Sequence, residues 1–447
     1  MPLTRRELLT RCAAGAGVVA IGNLAGVFGA PLASAAGKGG GGRRVGYGDL
    51  VPDPAGLLDL PAGFRYTVVS EEGQVLTGAT GVVPGRFDGT GTFEAGRKGT
   101  FLVRNSENGT SAAFPAVAGP ELTYDPGALG GTTTVRLSKH NEVLEQYVSL
   151  AGTLSNCAGG VTPWGTWLTC EETEAKAGGA LQKDHGFVFE VDPEDPHRNV
   201  DPTPLTGMGR FAHEAVAIDP HSGNCYLTED ASGPLGLVYR FRPDDRSGRY
   251  GSLRKGGRLT AMVCSRKGVQ VPDLSAVSEV GTKLIVDWVD VPDPLAATVS
   301  TRKQFTDAQV TRSRKFEGTW YGDGLIWIVC SFMEGVHAGQ VWSLDPSSST
   351  LRLEVQLALG DVDLPGDSPD NICVSPHGGL ILAEDGSGVQ YLLTVSEDGQ
   401  TTAFARNARD DSEFTGCVFA PDGKTLFANI QEPGITFAIE GPFNRRH

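Results

Sequence analysis

A pattern of strand, tight turn and strand recurs along this chain, and it constrains the fold more than any other feature of the sequence. Each copy has an apolar run, a polar turn and a second apolar run that ends in acids or amides; a third and a fourth strand follow. The clearest copies span 215–230, 371–385 and 416–433, and others span 162–172, 99–107 and 319–330. Units of four short strands are typical of propeller blades. The pattern therefore predicts an all-β fold, a six-bladed β-propeller.

The composition agrees with this prediction. Gly (61) and Pro (27) are abundant among the 447 residues, which disfavours long helices and favours many turns. We expect residues 61–447 to form a single propeller domain, closed by pairing of a first strand near Phe64 with the last blade. The segment 244–313 interrupts the repeat, and we expect it to form an inserted cap or side lobe.

The N-terminal residues indicate export. Thr4-Arg-Arg-Glu-Leu-Leu9 is a twin-arginine signature, and a Gly/Ala-rich stretch and Ala33-Ser-Ala35 follow it. The sequence predicts a signal peptide over 1–35, a flexible linker over 36–60, and a periplasmic or extracellular protein that meets the twin-arginine export machinery. A short membrane anchor is the alternative, and the glycines and Pro31 disfavour it, so we expect no stable membrane anchor.

The charge excludes one class of partner. The formal net charge is −15 and no long run of Lys or Arg occurs, so we expect no nucleic-acid binding. An anionic substrate would need bound cations to reverse the local charge.

Acids recur at the ends of the second strands, and this repetition points to metal binding. If these strands surround one axis, their acids converge at one end of the channel, where they repel one another unless cations are present. Oxygen ligands suit Ca²⁺, and a thiolate among them suits iron. The alternative is that each acid is a separately solvated turn residue. The strand-end groups are Glu107, Cys170 with Glu171 and Glu172, Glu229 with Asp230, Glu384 with Asp385, and Gln431 with Glu432; Glu214, Glu317, Asp370 and Asn371 lie near strand starts.

Other chemistries find little support in the sequence. His213-Glu214 lacks the second histidine of a zinc helix, and neither a nucleophile elbow nor a phosphate-binding Gly-rich loop is present. The cysteines that follow the signal peptide form no CxxC pair, and most lie in apolar runs typical of buried thiols. Cys170 differs because two carboxylates follow it directly, which favours a ligand role.

Several motifs together resemble the PhoX-type alkaline phosphatases. The resemblance covers most of the chain after the signal peptide. It rests on Asn156-Cys-Ala-Gly-Gly160, Thr162-Pro-Trp-Gly-Thr-Trp-Leu-Thr-Cys-Glu-Glu172, Gly209-Arg-Phe-Ala-His-Glu214, Phe316-Glu-Gly318, Ser368-Pro-Asp-Asn371 and the run from Phe419 to Gly434. Two positions depart from the family pattern: Ser106 stands where the family usually has His, and Lys315 where it commonly has Arg.

The resemblance implies a six-bladed propeller with Fe³⁺ and Ca²⁺ at its axis. It implies Cys170 as the iron ligand and Glu214 and Glu317 as iron carboxylates. Candidates for calcium or the remaining iron positions are Glu107, Glu171, Glu172, Asp370, Asn371, Glu384 and Asp385. Candidates for holding or neutralising the phosphoryl group are Lys315, Arg314, Arg210 and Asn156. Because lysine lacks the bidentate fork of arginine, phosphate is expected to be held more loosely or with help from Arg314.

These expectations combine into one function with two rivals. We expect an exported, monomeric, metal-dependent phosphatase that hydrolyses small phosphate monoesters. The first rival is a calcium-dependent lactonase or phosphodiesterase on the same propeller, which would need no thiolate. The second is a non-catalytic binding scaffold with structural calcium.

Overall fold

The computed structural model describes residues 46–444, apart from 97–98, 332–336, 359–365 and 367. The predicted signal peptide lies outside this range. Within it, no helix has the length and apolar character needed to cross a membrane.

Strands account for nearly all the regular structure. In chain order they are β1 (Leu50–Val51), β2 (Leu58–Pro61), β3 (Arg65–Glu71), β4 (Phe87–Glu94), β5 (Gly99–Ser106), β6 (Gly130–Ser138), β7 (Val143–Thr153), β8 (Asn156–Val161), β9 (Trp167–Glu171), β10 (Val188–Val191), β11 (His213–Ile218), β12 (Cys225–Glu229), β13 (Val238–Pro243), β14 (Gly257–Arg266), β15 (Val269–Val271), β16 (Lys283–Asp290), β17 (Phe316–Gly322), β18 (Leu325–Cys330), β19 (His337–Asp345), β20 (Thr350–Ala358), β21 (Pro369–Val374), β22 (Leu380–Glu384), β23 (Tyr391–Val395), β24 (Thr401–Asn407), β25 (Phe414–Phe419), β26 (Thr425–Ile430) and β27 (Ile435–Glu440).

The helices are short 3₁₀ turns of three or four residues. They are Pro120–Leu122, Pro196–Asn199, Thr206–Met208, Ser252–Lys255, Leu274–Ala276 and Thr301–Gln304.

The strands form five antiparallel sheets in the described part of the chain. Their strand orders are β4-β5-β6-β7, then β10-β9-β8, then β11-β12-β13-β14-β16-β20-β19-β18-β17 with β15 on β14, then β1-β2-β24-β23-β22-β21, and finally β25-β26-β27-β3. The central strands are buried on both faces, which explains why β22 and β26 are almost continuously apolar in sequence. The all-β prediction is confirmed, and the arrangement is propeller-like.

Six hairpins of the same design organise these sheets. We call them the inner hairpins: β4–β5, β8–β9, β11–β12, β17–β18, β21–β22 and β25–β26. In each, the first residue of one strand pairs with the last residue of the other, and a bulge follows within the next few residues. The first strands pack against one another in the order β4, β8, β11, β17, β21 and β25, and β25 packs against β4. The six strands therefore form a closed ring around an axis.

Small residues allow the ring to be this tight. The third position of each first strand holds a small residue in five hairpins, and Asn371 in the other. A Cβ on Gly89 would lie 2.6 Å from Ala158 Cα, and one on Gly318 would lie 2.7 Å from the Asp370 carbonyl oxygen. These glycines are needed because the backbone of the neighbouring strand occupies the space of a side chain.

Three features differ from the expected six blades with a cap. Two repeat copies, β11–β13 and β17–β20, belong to one ten-stranded sheet instead of two blades. β14, β15 and β16 come from the segment 244–313, which joins that sheet because its strands pair with the outer strands of both copies. The predicted linker over 36–60 contains β1 and most of β2, which extend the sheet of β21–β24.

The predicted closure of the ring is confirmed. β3 pairs with β27 from Arg65–Glu440 to Glu71–Ile435. A strand from the start of the domain thus completes the sheet that contains its last strand.

Candidate metal centre

All six inner hairpins present one end to the same side of the ring, and we call this side the open end. The second residue of each first strand lies here: Asp88, Cys157, Glu214, Glu317, Asp370 and Thr415. The residue that follows each second strand lies here too: Glu107, Glu172, Asp230, Ser331, Asp385 and Gln431. The shared register thus delivers two side chains per hairpin, most of them acidic, to one place.

Three groups of side chains at the open end are close enough to hold metal ions. They are Cys157 with Glu172 and Glu214, then Glu214 with Glu317 and Asp370, and then Asp370 with Asp385 and Glu413; the ligand atoms of each group lie within 4.8 Å of one another. Glu214 and Asp370 each belong to two groups. The groups therefore form one continuous arc over five of the six hairpins.

The acids of this arc are costly to ionise together. Burial, and then the carboxylates of Asp370, Glu317 and Glu172, raise the pKa of Glu214 well above its ordinary value. Burial and the nearby Asp385 and Asp370 do the same for the pKa of Glu413. Cations would remove this repulsion and let the carboxylates ionise, so the donor set fits metal binding.

Cys157 supplies the sulfur atom of the arc. Its Sγ lies 3.2 Å from the His213 carbonyl oxygen and 3.4 Å from that of Glu214. Burial, followed by the carboxylates of Glu214 and Glu172, raises the pKa of the Cys157 thiol well above its ordinary value. A thiolate at this position needs a bound cation, and a soft or redox-active metal is the kind it prefers.

Cys170, the thiol predicted as a ligand, lies elsewhere. It is fully buried in an apolar cluster with Leu168 and Val188 and belongs to none of the three groups. The reason is strand alternation, since Leu168 and Cys170 share the face of β9 that is turned into the core. The structure thus brings Cys157 to the acids in place of Cys170.

The glutamates that end second strands also differ from the prediction. Glu171 accepts hydrogen bonds from the backbone N–H groups of Leu154, Gly186 and Phe187 and contacts His185 Nδ1 at 2.7 Å. Glu384 accepts from the backbone of Gly366 and Tyr391, and Glu229 from Leu237 N, Tyr239 Oη and Arg302 Nη1. We call Glu171, Glu229 and Glu384 the latch glutamates, because each ends one strand and accepts hydrogen bonds from the backbone at or just before the start of the next strand, which closes the loop between the two strands. None of them belongs to the three groups.

Two further predicted ligands are held by hydrogen bonds within the protein. Asn371 accepts a 2.5 Å hydrogen bond from Gly416 N and donates to Asp370 at 3.2 Å, so it links β21 to β25. Glu107 pairs with Arg86 at 2.8 Å and accepts from Gln431 at 3.1 Å. The predicted ligands that do belong to the groups are Glu172, Glu214, Glu317, Asp370 and Asp385.

The four residues predicted to act on phosphate have different surroundings. Lys315 Nζ lies at the open end, 2.7 Å from Glu317 and 3.7 Å from Asp230. Arg210 is buried, and its guanidinium donates to the carbonyl oxygens of Glu174, His185, Leu295 and Ala296. Asn156 is buried between Thr153 and Thr169, and Arg314 is half-buried before β17. The contacts of Lys315 place it at the acids of the open end.

Three site residues were not predicted from the sequence: Cys157, Glu413 and Asp88. Burial, and then Glu107 and Asp370, raise the pKa of Asp88 well above its ordinary value. A signal for Asp88 was present, because Arg86-Phe-Asp-Gly89 and Lys315-Phe-Glu-Gly318 share a pattern of cation, Phe, acid and Gly. Aligning the first strands of the repeats would have placed Cys157 and Asp88 at the position of Glu214 and Glu317.

One family model covers most of the chain. The model of a family described as "Alkaline phosphatase PhoX" matches residues 45–146 and 139–434. No curated protein matches the chain. Among solved structures, Pseudomonas fluorescens PhoX in complex with vanadate, a transition state analogue, superposes with a TM-score of 0.64 at 18% identity, covering 90% of this chain and 98% of that one. A gluconolactonase from Xanthomonas campestris has a TM-score of 0.45 at 13% identity, covering 90% of this chain and 99% of that one.

Proposed function

Because the chain belongs to the PhoX alkaline phosphatase family, we propose that this phosphatase hydrolyses phosphate monoesters at an axial cluster of Fe³⁺ and Ca²⁺. The observation that carries the proposal is the arc of three overlapping groups at the open end, joined through Glu214 and Asp370. An arc with shared carboxylates suits several adjacent cations better than one isolated ion.

The donor types favour two kinds of metal along the arc. The end that contains Cys157 offers a thiol together with the carboxylates of Glu172 and Glu214, which suits iron. The end that contains Asp370, Asp385 and Glu413 offers only carboxylates, which suits calcium. When bound, such ions polarise phosphoryl oxygens and favour ionisation of an attacking oxygen at moderate pH.

In the proposed hydrolysis, the phosphoester bond is replaced by a bond between phosphorus and a water oxygen. The bond between phosphorus and the alcohol oxygen breaks, a water oxygen bonds to phosphorus, and the departing alcohol takes up a proton. Lys315 would donate to a phosphoryl oxygen, since its ammonium group already lies among the carboxylates of the site. Glu172, Glu214 and Glu317 would hold cations, and the latch glutamates would keep the surrounding loops in place.

The N-terminal sequence supports a location outside the cytoplasm. The twin-arginine signature and the cleavage pattern at Ala33-Ser-Ala35 favour export of the folded protein, a route suited to an enzyme that acquires its metal ions first.

Metal content of two cysteine variants tests the proposal. We expect the wild-type protein, exported by the twin-arginine route and purified without chelator, to contain iron and calcium. Cys157→Ser should lose iron and most of its activity toward 4-nitrophenyl phosphate, because serine is a poor substitute for a soft thiolate ligand. Cys170→Ser is the matched control, since Cys170 lies in the apolar core 13 residues later, and it should keep its iron.

The opposite results are equally informative. Iron retained in Cys157→Ser, or lost only in Cys170→Ser, would contradict the assigned thiolate. Calcium without iron in the wild-type protein would contradict the iron cluster. Hydrolysis of lactones or phosphodiesters, without turnover of monoesters, would favour the first rival function.

A further inference from the structure

Arg86 occupies the same place in the first inner hairpin as Lys315 does in the fourth. Each residue directly precedes its first strand and has a left-handed backbone, with φ of 52° for Arg86 and 50° for Lys315. Each carbonyl oxygen accepts a 2.9 Å hydrogen bond from the residue after the second strand, Glu107 N in one case and Ser331 N in the other. The two backbone turns are therefore equivalent and direct both side chains to the open end.

The two cations lie across the ring from each other. In the order β4, β8, β11, β17, β21 and β25, the strand that follows Arg86 and the strand that follows Lys315 are three places apart in either direction. Both side chains interact with acids of the open end, Arg86 with Glu107 at 2.8 Å and Lys315 with Glu317 at 2.7 Å. A small anion at the axis would thus have a cation on either side.

The arc of metal-binding groups does not include the first inner hairpin, β4–β5. Asp88 and Glu107 belong to none of the three groups. Gln431 Nε2 donates to both of them, at 3.2 Å and 3.1 Å, and Arg86 pairs with Glu107. In the part of the chain that the structure describes, the acids of the first hairpin are thus paired with a cation and an amide donor instead of joining a metal-binding group.

The guanidinium of Arg86 has one firmly held edge and one exchangeable nitrogen. Nε and Nη2 both bind Glu107, at its carbonyl oxygen (2.9 Å) and its carboxylate (2.8 Å). Nη1 pairs at 3.1 Å with Glu432, whose side chain is 63% exposed. Exposed ion pairs contribute little to stability, so a dianionic phosphoryl group could replace Glu432 on Nη1 at small cost.

From these observations we propose that Arg86 is a second phosphate-binding residue, acting across the axis from Lys315. It binds the phosphoryl group through Nη1 while its other edge stays on Glu107. The inference rests on the proposed function and adds to the site a second cation, whose orientation is fixed by the two bonds from its guanidinium to Glu107.

Binding of inorganic phosphate, measured by calorimetry on metal-loaded protein, tests this role. Arg86→Gln should raise the phosphate Kd about tenfold to a hundredfold, the effect of losing a hydrogen bond to a charged group, and Arg86→Lys should restore part of the affinity. Glu432→Gln should lower the Kd, because it frees Nη1. Arg65→Gln is the control, since Arg65 forms an exposed pair with Glu440 on another sheet, and its Kd should equal that of the wild type.

Metal analysis accompanies each variant, so that indirect effects are recognised. An unchanged phosphate Kd in Arg86→Gln with its metal retained would overturn the proposal. If Arg86→Gln loses metal, the phosphate Kd of Glu432→Gln decides between the two roles. An unchanged Kd in Glu432→Gln would overturn the proposal, because it would mean that Arg86 acts only by supporting Glu107. The outcome is separable from the proposed function: a wild-type protein that binds phosphate through Arg86 but hydrolyses no monoester would contradict only the latter.

Discussion

His185 is a buried imidazole held between two carboxylates. Its Nδ1 lies 2.7 Å from Glu171 and its Nε2 lies 3.3 Å from Asp125, and all three side chains are inaccessible to solvent. Burial lowers the pKa of His185, but the two carboxylates outweigh burial and raise the net pKa above its ordinary 6.5. Because Glu171 is a latch glutamate, this charged triad stabilises the loop that follows Glu172.

The triad predicts a fall in stability at alkaline pH. A group whose pKa is raised in the folded state contributes stability that is complete below its unfolded pKa and is lost as the pH rises through the folded value. We therefore expect the melting temperature to fall as the pH rises above about 6.5. His185→Gln should lower the melting temperature and flatten this slope, measured by calorimetry at constant metal content. The exposed His221→Gln serves as control, and a wild-type slope in His185→Gln would contradict the prediction.

At the scale of single residues, the sequence locates the acids along the chain but does not show which way their side chains point from the strand. Cys170, Glu171 and Glu172 are consecutive, and only Glu172 joins a metal-binding group. Successive side chains in a strand alternate in direction, and a bulge of one residue reverses the alternation. Which member of an acidic run faces the axis is therefore fixed by register, and the register depends on pairing that single-sequence patterns do not specify.

At the scale of elements, the closeness of the first strands depends on glycine. Gly89 of β4 faces the backbone of β8, where a Cβ would lie 2.6 Å from Ala158 Cα and 2.8 Å from the carbonyl oxygen of Cys157. Backbone atoms cannot rotate away as a flexible side chain can. Any larger residue at this position must separate two strands of the ring.

We expect Gly89→Ala to destabilise the fold by about 1–3 kcal/mol, the usual cost of overpacking. It should also reduce metal content, because the displaced strand carries Cys157. Gly109→Ala is a matched control in open space with no atom within 4 Å of the added Cβ, and its free energy of unfolding should stay within about 0.5 kcal/mol of the wild type. Denaturant unfolding measures both variants, and equal stability of the two would show that the ring is not tightly packed at Gly89.

At this scale, the sequence predicts individual strands better than it predicts which strands share a sheet. The repeats predict four of the inner hairpins because apolar runs and turn residues are local signals, but the copies over 99–107 and 162–172 contain only β5 and β9, without their partners β4 and β8. The sequence does not predict that β14 and β16 share a sheet with β20. Lys283 of β16 pairs with Arg352 of β20, and no local pattern marks a pairing between residues so far apart in the chain. From local patterns alone, the segment 244–313 is therefore predicted to form a separate cap.

At the scale of the whole molecule, the ring is closed by strands from the two ends of the domain. β3 completes the sheet of β25–β27, and β1 with β2 extends the neighbouring sheet of β21–β24. Without β3, the six residues of β27 from Ile435 to Glu440 would present an unpaired edge.

A truncation series tests this closure. A chain that starts at residue 46 keeps all described strands, so we expect it to unfold in one cooperative transition. A chain that starts at residue 73 lacks β1–β3, and we expect it to aggregate or to unfold without cooperativity. Moving residues 46–72 behind residue 444 through a flexible linker should restore cooperative unfolding. A stable, soluble chain from residue 73 would show that β3 is dispensable for closure.

The pairing of β3 with β27 also fixes an order of events in time. Ile435–Glu440 is translated after all the other described strands, so the partner of β3 does not exist until these strands have been synthesised. The arc takes its side chains from five hairpins, which come together only when the ring forms. A nascent chain on the ribosome therefore has the individual acids but not the assembled arc, and metal loading has to follow translation.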